Sequence, residues 1–196
     1  MSVPRRRGAR ELTSWLEGLV PSLTDRWTDE IRRRGQLGQN GLAPVVEHFA
    51  ELLVRLLPLM VGPHRDLVEP FWIRASALYG AVAANRGLAA GEAIEELHLL
   101  RELVIRDLYR SPPAGGNARL SLREILRMNR ALDQAVTHGS VGHIDALFFE
   151  FFDGDRATAL LSGADVAAEA LEQLRQLEAE LREQVKDRVE FGASRR

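Results

Sequence analysis

The chain has 196 residues, of which 45% are hydrophobic, enough to fill the core of one domain of ordinary size with an appendage. Its 26 basic and 28 acidic residues leave a formal net charge of -2, so we predict no binding of nucleic acid. The absence of cysteine excludes disulfides, thiolate metal sites, thioether-linked haem and cysteine nucleophiles, and it fits a reducing compartment. No apolar stretch approaches the roughly 18 residues of a membrane span, and the first residues lack a signal-peptide core. We therefore expect a cytoplasmic protein without a membrane partner.

Nearly every segment shows the helical period, and none alternates with period two for the length of a strand. The sequence therefore predicts an all-α fold. We expect residues 1–9 to be a disordered basic leader, because their arginines lack interleaved aromatics and precede any helical pattern. The first helix is predicted to begin near Arg10, to kink or restart at Pro21, and to end before a glycine-rich loop at 35–41.

Three helices with apolar faces are predicted next. Pro44 suits the first turn of one of them, and Pro58 is expected to kink or end it. A second is expected to stop at Gly87, because the residue just after a helix often has a left-handed backbone, which glycine adopts readily. The third covers residues 91–109 and ends before a loop that contains two prolines and two glycines.

A further helix is predicted to start at a capping box formed by Ser121 and Glu124. Residues 138–140, with the sequence His-Gly-Ser, are expected to interrupt or bend it. A strongly apolar face then continues through Val141, Ile144, Leu147, Phe148, Phe151 and Phe152. Because this stretch holds more phenylalanines than one helix face buries inward, we expect part of it at a dimer interface. Residues 10–154 form the predicted globular domain.

The last segment, residues 155–196, is predicted to form a long signalling helix. Its apolar positions are three or four residues apart within a highly charged sequence, and they are Ala167, Ala170, Leu174, Leu177, Leu181, Val185 and Val189. Such a narrow stripe favours a coiled coil with a second copy of the chain, with a seam from Leu174 to Val189. Spacings of three, four and four predict local unwinding or a right-handed crossing.

One alternative stays open for this segment, which is a single amphipathic helix packed back on its own domain. If the coiled coil forms, replacing Leu174 and Leu181 with Asp dissociates the dimer, because charges then occupy the seam.

No catalytic or phosphate-binding signature occurs in the chain, so we predict no catalytic residues and no enzyme activity. Glu95 and His98 form one Glu-x-x-His pair, but a di-iron site needs a second pair, which the sequence lacks. No metal site is therefore expected, unless His98 is an axial haem ligand.

Four residues are candidates for lining a ligand pocket: Trp72, Tyr79, His98 and Arg101. The two aromatic residues also suit a simple core. Arg101 stands on an apolar stripe, which leaves two interpretations. In the one that we favour, its side chain reaches the surface and pairs with a glutamate such as Glu96 or Glu102. In the other, it binds an anionic ligand in a pocket.

Three stretches together resemble the N-terminal sensor domain of the stressosome protein RsbR, which is similar to domains that precede the kinase core in some soluble bacterial histidine kinases. They read TDRWTDEI in the first helix, GEAIEELHLLRELVIRDLY at 91–109 and MNRALDQAV at 128–136. The resemblance covers residues 12–152 and is a pattern of helices and spacings.

The resemblance implies a globin-like helical bundle that lacks haem, dimerises and passes a signal into C-terminal helices. Glu96, Leu100 and Arg101 match the Glu-x-x-x-Leu-Arg stretch of that domain. The final residues, REQVKDRVEFGAS, are similar to the linker that leads into the phosphoacceptor helix of histidine kinases, although no histidine follows here.

We therefore expect a non-enzymatic, cytoplasmic sensor that forms a homodimer and needs no cofactor. Its C-terminal coiled coil would signal to a kinase core or to a stressosome-type partner. Two alternatives stay open: a globin-type sensor that binds haem or another tetrapyrrole, and a metal-dependent helical enzyme that uses Glu95, Glu96 and His98.

Overall fold

A computed structural model describes residues 4–34, 41–113, 121–152 and 163–193, with side-chain surroundings at 10–34, 41–113, 121–148 and 165–184. Within these ranges the chain is all-α, as predicted, with no strand. The six helices are α1 (Pro4–Arg33), α2 (Ala43–Val61), α3 (Arg65–Asn85), α4 (Ala90–Arg110), α5 (Leu122–Phe152) and α6 (Gly163–Ala193). No helix in the described ranges is both long enough and apolar enough to cross a bilayer.

Two prolines that were expected to disturb helices lie inside continuous ones. α1 begins at Pro4, so most of the leader predicted at residues 1–9 is helical, and it runs through Pro21 to Arg33. Proline suits the first turn of a helix and arginine is a good helix former. α2 likewise runs through Pro58 and ends at Val61, with Gly62 as its C-cap. Packing of the surrounding apolar face outweighs the hydrogen bond that an internal proline removes.

Two predicted helix boundaries are confirmed. Gly87 has a positive φ of 80°, and the N–H of Leu88 donates to the carbonyl of Ala83 at 3.1 Å, which is the pattern of a Schellman stop. At the start of α5, Glu124 Oε2 accepts from the N–H of Ser121 at 2.8 Å, and Ser121 Oγ accepts from the N–H of Glu124 at 3.4 Å. The capping box therefore forms as its sequence predicts.

The interruption predicted at residues 138–140 is wrong, because α5 is continuous there. The glycines of this region instead let α5 approach α3, which makes the most extensive helix contact in the fold. A Cβ added at Gly80 would lie 1.8 Å from the carbonyl oxygen of Gly139, and one added at Gly142 would lie 1.9 Å from that of Ala77. Only the missing side chains allow the two backbones to come so close.

The core is formed by apolar faces of all six helices, and its largest fully buried side chains include Trp27, Phe49, Trp72 and Tyr79. The ring of Tyr79 lies between two others: its centroid is 5.7 Å from Trp27, in a stacked arrangement, and 6.3 Å from Phe49, edge to face. These offset geometries are the favourable ones for aromatic pairs.

α6 packs on α3 and α2. Leu174 and Leu177 are 0% and 1% exposed and belong to the same core as the rest of the domain. This part of α6 therefore packs on its own domain, which is the alternative that the sequence left open. Leu181 is partly buried, and Val185 and Val189 lie outside the residues whose side chains are described. The predicted coiled coil stays a prediction.

The apolar face predicted for the second half of α5 points away from the core. Val141, Ile144, Leu147 and Phe148 are all exposed, by 42% to 59%. Phe151 and Phe152 lie outside the described side chains. α5 therefore turns toward solvent the residues that periodicity assigned to its apolar side.

Candidate functional site: a buried ion pair between α3 and α4

A fully buried ion pair joins the end of α3 to the second turn of α4. The side chains of Arg86 and Glu96 are 3% and 0% exposed. Arg86 Nη2 donates to Glu96 Oε1 at 2.6 Å, and Nη1 donates to Oε2 at 2.9 Å. This two-point contact is the strong geometry for a guanidinium and a carboxylate.

Two aromatic residues complete the arrangement. The hydroxyl of Tyr79 donates to Glu96 Oε2 at 2.6 Å, and Trp27 Nε1 donates to the backbone carbonyl of Glu96 at 2.8 Å. We call Trp27, Tyr79, Arg86 and Glu96 the Glu96 cluster. Because its members lie on α1, on α3 and its cap, and on α4, the cluster ties three helices together.

Burial and the neighbouring charges set the protonation of the cluster. Burial, together with the negative charge of Glu96, raises the pKa of Tyr79 well above its ordinary value. Burial alone would lower the pKa of Arg86, but hydrogen bonding to Glu96 and its charge outweigh burial and raise this pKa. The hydroxyl is therefore neutral and the guanidinium charged. Three donors occupy the carboxylate of Glu96, so the buried charge is satisfied and the cluster holds the helices together.

Among the described residues, three further ion pairs join α4 to its neighbours, and one of them is exposed, with 3.4 Å between Arg34 Nη1 and Glu95 Oε2. Arg26 on α1 pairs with Asp107, with a distance of 2.9 Å from Nη1 to Oδ1, and hydrogen bonding to this carboxylate raises the pKa of Arg26. Arg101 pairs with Asp133 on α5. α4 is thus joined by ion pairs to the helices on both of its sides.

The four predicted pocket residues lie in different surroundings. Tyr79 belongs to the Glu96 cluster. Trp72 is fully buried, and its Nε1 donates to the carbonyl of Ala131 on α5 at 2.9 Å. His98 is exposed on α4, and Arg101 is partly buried beside α5. Their shared role in a ligand pocket stays a prediction.

The pairing favoured for Arg101 is wrong. Its partner is Asp133, whereas Glu96 is occupied by Arg86 and Glu102 pairs with Arg106 at 2.5 Å. The reason is that Arg101 faces α5, while Glu96 faces the opposite side of α4, toward α1 and α3.

Haem ligation by His98 also stays a prediction. Its direct test is a Soret band on reconstitution with haemin, which must disappear in His98→Ala. Within the described residues, no three His, Asp or Glu side chains are grouped closely enough to hold a metal ion.

Sequence reasoning singled out Tyr79 and Glu96 but missed Arg86 as their partner. A signal for buried acidic residues was present. Glu96 and Asp107 stand with Leu100 and Val104 at steps of four, four and three, so that both carboxylates lie on a buried helical face. Acidic residues on such a face require partners. The pattern does not say which of the chain's arginines supply them.

No protein-family model, no curated protein and no solved structure matches the chain. The fold and the site define an all-α helical protein with a buried ion-pair cluster, and its function is argued from these features.

Proposed function

We propose that the chain is a non-enzymatic, cytoplasmic sensor module whose output leaves through α6. In this proposal the helical globule, globin-like as the sequence resemblance implies, passes its state to a kinase core or a stressosome-type partner, and the chain acts as a homodimer. The observation that carries the proposal is the burial of Leu174 and Leu177, two residues of the predicted dimer seam, in the chain's own core.

Because a side chain is buried in one place at a time, Leu174 and Leu177 pack either against α2 and α3 or against a second α6. The docked helix and the coiled coil therefore exclude each other along this stretch. An equilibrium between two such states is what a signalling helix requires.

Two polar contacts accompany the docked position of α6, one of them exposed and the other partly buried. Arg74 on α3 pairs with Glu180, and His48 on α2 lies 3.5 Å from Glu178. Exposed pairs of this kind are each worth about 0–1 kcal/mol. These polar contacts therefore contribute little to docking, which depends mainly on the burial of Leu174 and Leu177. In the proposal, a second α6 replaces the docked arrangement by burying the same two side chains.

α3 connects the Glu96 cluster to α6. Its middle carries Arg74, which contacts α6, and its C-terminal cap is Arg86, which contacts α4. In the proposed mechanism, a change at the Glu96 cluster moves α3 relative to α4 and alters the surface on which α6 docks.

The test is the oligomeric state of the full chain at micromolar concentration, measured by sedimentation velocity. Arg74→Glu places two negative charges together and should release α6, which increases the dimer fraction. Arg74→Glu combined with Glu180→Arg restores the opposite charges and should return the dimer fraction to the wild-type value. Arg55→Glu, on the exposed side of α2, is the matched control. A monomer in every variant would refute the proposed coiled coil.

Leu174 and Leu181 are no longer the best residues for testing the predicted dimer seam. Since Leu174 is fully buried in the globule, Leu174→Asp destabilises the fold as well as a dimer. Val185→Asp with Val189→Asp is the better pair. We expect these substitutions to abolish the increase in dimer fraction that Arg74→Glu causes, and the midpoint of thermal unfolding reports whether they also weaken the fold.

The output is tested by the natural reading frame beyond Arg196. A kinase core, or a domain that such a kinase phosphorylates, encoded there would support the proposed signalling role. A catalytic domain of unrelated chemistry would argue against it.

A further inference from the structure

One stripe of exposed residues runs the length of α5. Its members are spaced four, four and three residues apart, and all are exposed: Leu122, Leu126, Arg130, Asp133, Thr137, Val141, Ile144 and Phe148. This spacing is an 11-residue repeat, which stays on one side of a nearly straight helix. The stripe extends over about 39 Å at 1.5 Å per residue.

The exposed apolar surface of the protein is concentrated here. Among residues whose side chains are described, every large hydrophobic side chain that is exposed lies on α4 or α5. On α4 these are Ile105 and Tyr109. An apolar surface confined to two adjacent helices is typical of an interaction site.

The stripe is symmetric about its midpoint, residue 135. Its two ends are apolar and its centre is polar. Leu122 and Phe148 each lie 13 residues from the midpoint, and Leu126 and Ile144 each lie 9 residues from it. In a reversed copy, Leu122 meets Phe148, Leu126 meets Ile144, and Asp133 meets Thr137, while the remaining pair brings Val141 beside Arg130. A helix with this pattern is largely complementary to a reversed copy of itself, since its apolar ends meet.

The charges of α5 distinguish the two orientations that a pair could adopt. Residues 122–132 contain three arginines and one glutamate, whereas residues 133–148 contain two aspartates and no lysine or arginine. Within the chain, Arg127 donates to the carbonyl of Val61 and Asp133 pairs with Arg101, which leaves Arg123 and Arg130 exposed in the first half and Asp145 exposed in the second. An antiparallel pair brings the basic end of each helix toward Asp145 of the other. A parallel pair brings like charges together, which is unfavourable.

From these observations we propose that a second copy of this chain packs its α5 against α5 in antiparallel orientation, about a twofold axis near residue 135. Leu126 of each copy then faces Ile144 of the other, and Ile105 and Tyr109 extend the contact from α4. This contact is distinct from the α6 seam of the homodimer proposed above, because α6 contributes none of these residues.

Since the chain contains no cysteine, single cysteines report this contact directly. The experiment mixes full-length Leu126→Cys with full-length Ile144→Cys, one of them carrying a mass tag, under mild oxidation. Antiparallel packing predicts a disulfide between the two different variants, at a yield at least tenfold above that of a mixture of Glu51→Cys with Ile144→Cys. Each variant alone should stay largely uncrosslinked, because two copies of residue 126 would be about 27 Å apart along the helix axis.

Two results would overturn the proposal. Disulfides between identical variants, at Leu126→Cys or at Ile144→Cys alone, would show parallel packing. A mixed disulfide at or below the yield of the Glu51→Cys control would show that the stripes do not meet. The replaced side chains are exposed, and circular dichroism of each variant checks that the fold is intact.

Discussion

Glu96 has no exposed surface, and its carboxylate is kept in the core by donors from Tyr79 and Arg86. Removing one member of a buried ion pair costs far more than the pair contributes in total, because the remaining charge has lost its partner and is still out of water. The two charges of this pair are therefore best altered together.

Arg86→Met should lower the free energy of unfolding by about 3–5 kcal/mol, because it leaves Glu96 charged and unpaired in the core. Arg86→Met with Glu96→Leu should recover most of this loss, since no buried charge remains. Urea unfolding measures both. The exposed pair of Arg106 and Glu102 is the control, and Arg106→Met there should cost less than about 1 kcal/mol. If Arg86→Met and Arg106→Met lower the free energy of unfolding equally, burial of the pair of Arg86 and Glu96 has no specific effect on stability.

Tyr79 provides a test at alkaline pH. Its pKa in the folded protein is raised above the unfolded value, so the stability that depends on its neutral hydroxyl is fully present below about pH 10. This stability is lost as the pH rises through the folded-state pKa. Tyr79→Phe should cost about 1–3 kcal/mol at neutral pH, because a hydrogen bond to a charged group is lost.

The difference in unfolding free energy between wild type and Tyr79→Phe should then narrow above about pH 10, since only the wild type has a hydroxyl to ionise. Tyr109, the other tyrosine of the chain, is 90% exposed and provides the control. Tyr109→Phe should leave the alkaline limb of the stability curve unchanged. If the difference in unfolding free energy between wild type and Tyr79→Phe stays constant above about pH 10, ionisation of Tyr79 does not oppose folding.

At the scale of whole elements, the decisive contact is the crossing of α3 and α5. Two helices normally keep their axes 8–10 Å apart because of their side chains. Here Gly80, Gly139 and Gly142 remove those side chains where the backbones meet. Gly139, which lies within the interruption predicted at residues 138–140, instead belongs to a close approach of two continuous helices.

Gly80→Ala should lower stability by about 3 kcal/mol or more, because the added methyl group collides with a backbone carbonyl that moves only if the helices separate. Gly18→Ala is a matched control in α1, where an added Cβ meets nothing within 4 Å. There we expect a gain of about 0.5–1 kcal/mol, since alanine favours the helix. Thermal unfolding of the two variants gives the comparison, and similar effects at both sites would rule out the close crossing.

At the scale of the molecule, the two proposals concern different surfaces. The apolar side of α6 is covered by its own globule as far as Leu177, while the stripe on α5 faces solvent. The proposals assign them different roles: α6 switches between docking and pairing, and α5 provides a self-complementary contact.

Docking of α6 should weaken in acid. Hydrogen bonding to Arg74 lowers the pKa of Glu180, so the stability from this pair is present above the pKa of an unfolded-chain glutamate and is lost as the pH falls through the lower, folded-state value. Glu180→Gln should therefore differ from wild type in unfolding free energy at pH 7, and the two should converge below about pH 4. Glu172→Gln, at an exposed α6 position that pairs within its own helix, is the control. If the difference in unfolding free energy between wild type and Glu180→Gln is the same in acid as at neutral pH, the pair of Arg74 and Glu180 does not stabilise the docked helix.

The all-α fold, the stop at Gly87 and the capping box at Ser121 were predictable, because periodicity and caps are local and depend on residues within about four positions of each other. Tyr79 and Glu96 were singled out as well. Their partnership with Arg86 was not, and neither was the pairing of Arg101 with Asp133, since these contacts depend on how helices cross. Pro21 and Pro58 were misread for the same reason, because local propensity yields to packing.

For α6, the sequence determined one property and the tertiary structure decided another. Its narrow apolar stripe determined that one side of α6 must be covered. It did not determine by what, because a stripe of leucines looks the same whether its cover is a second α6 or the protein's own core. Only the folded arrangement of α2 and α3 offers a surface that reaches Leu174 and Leu177, and it buries them there.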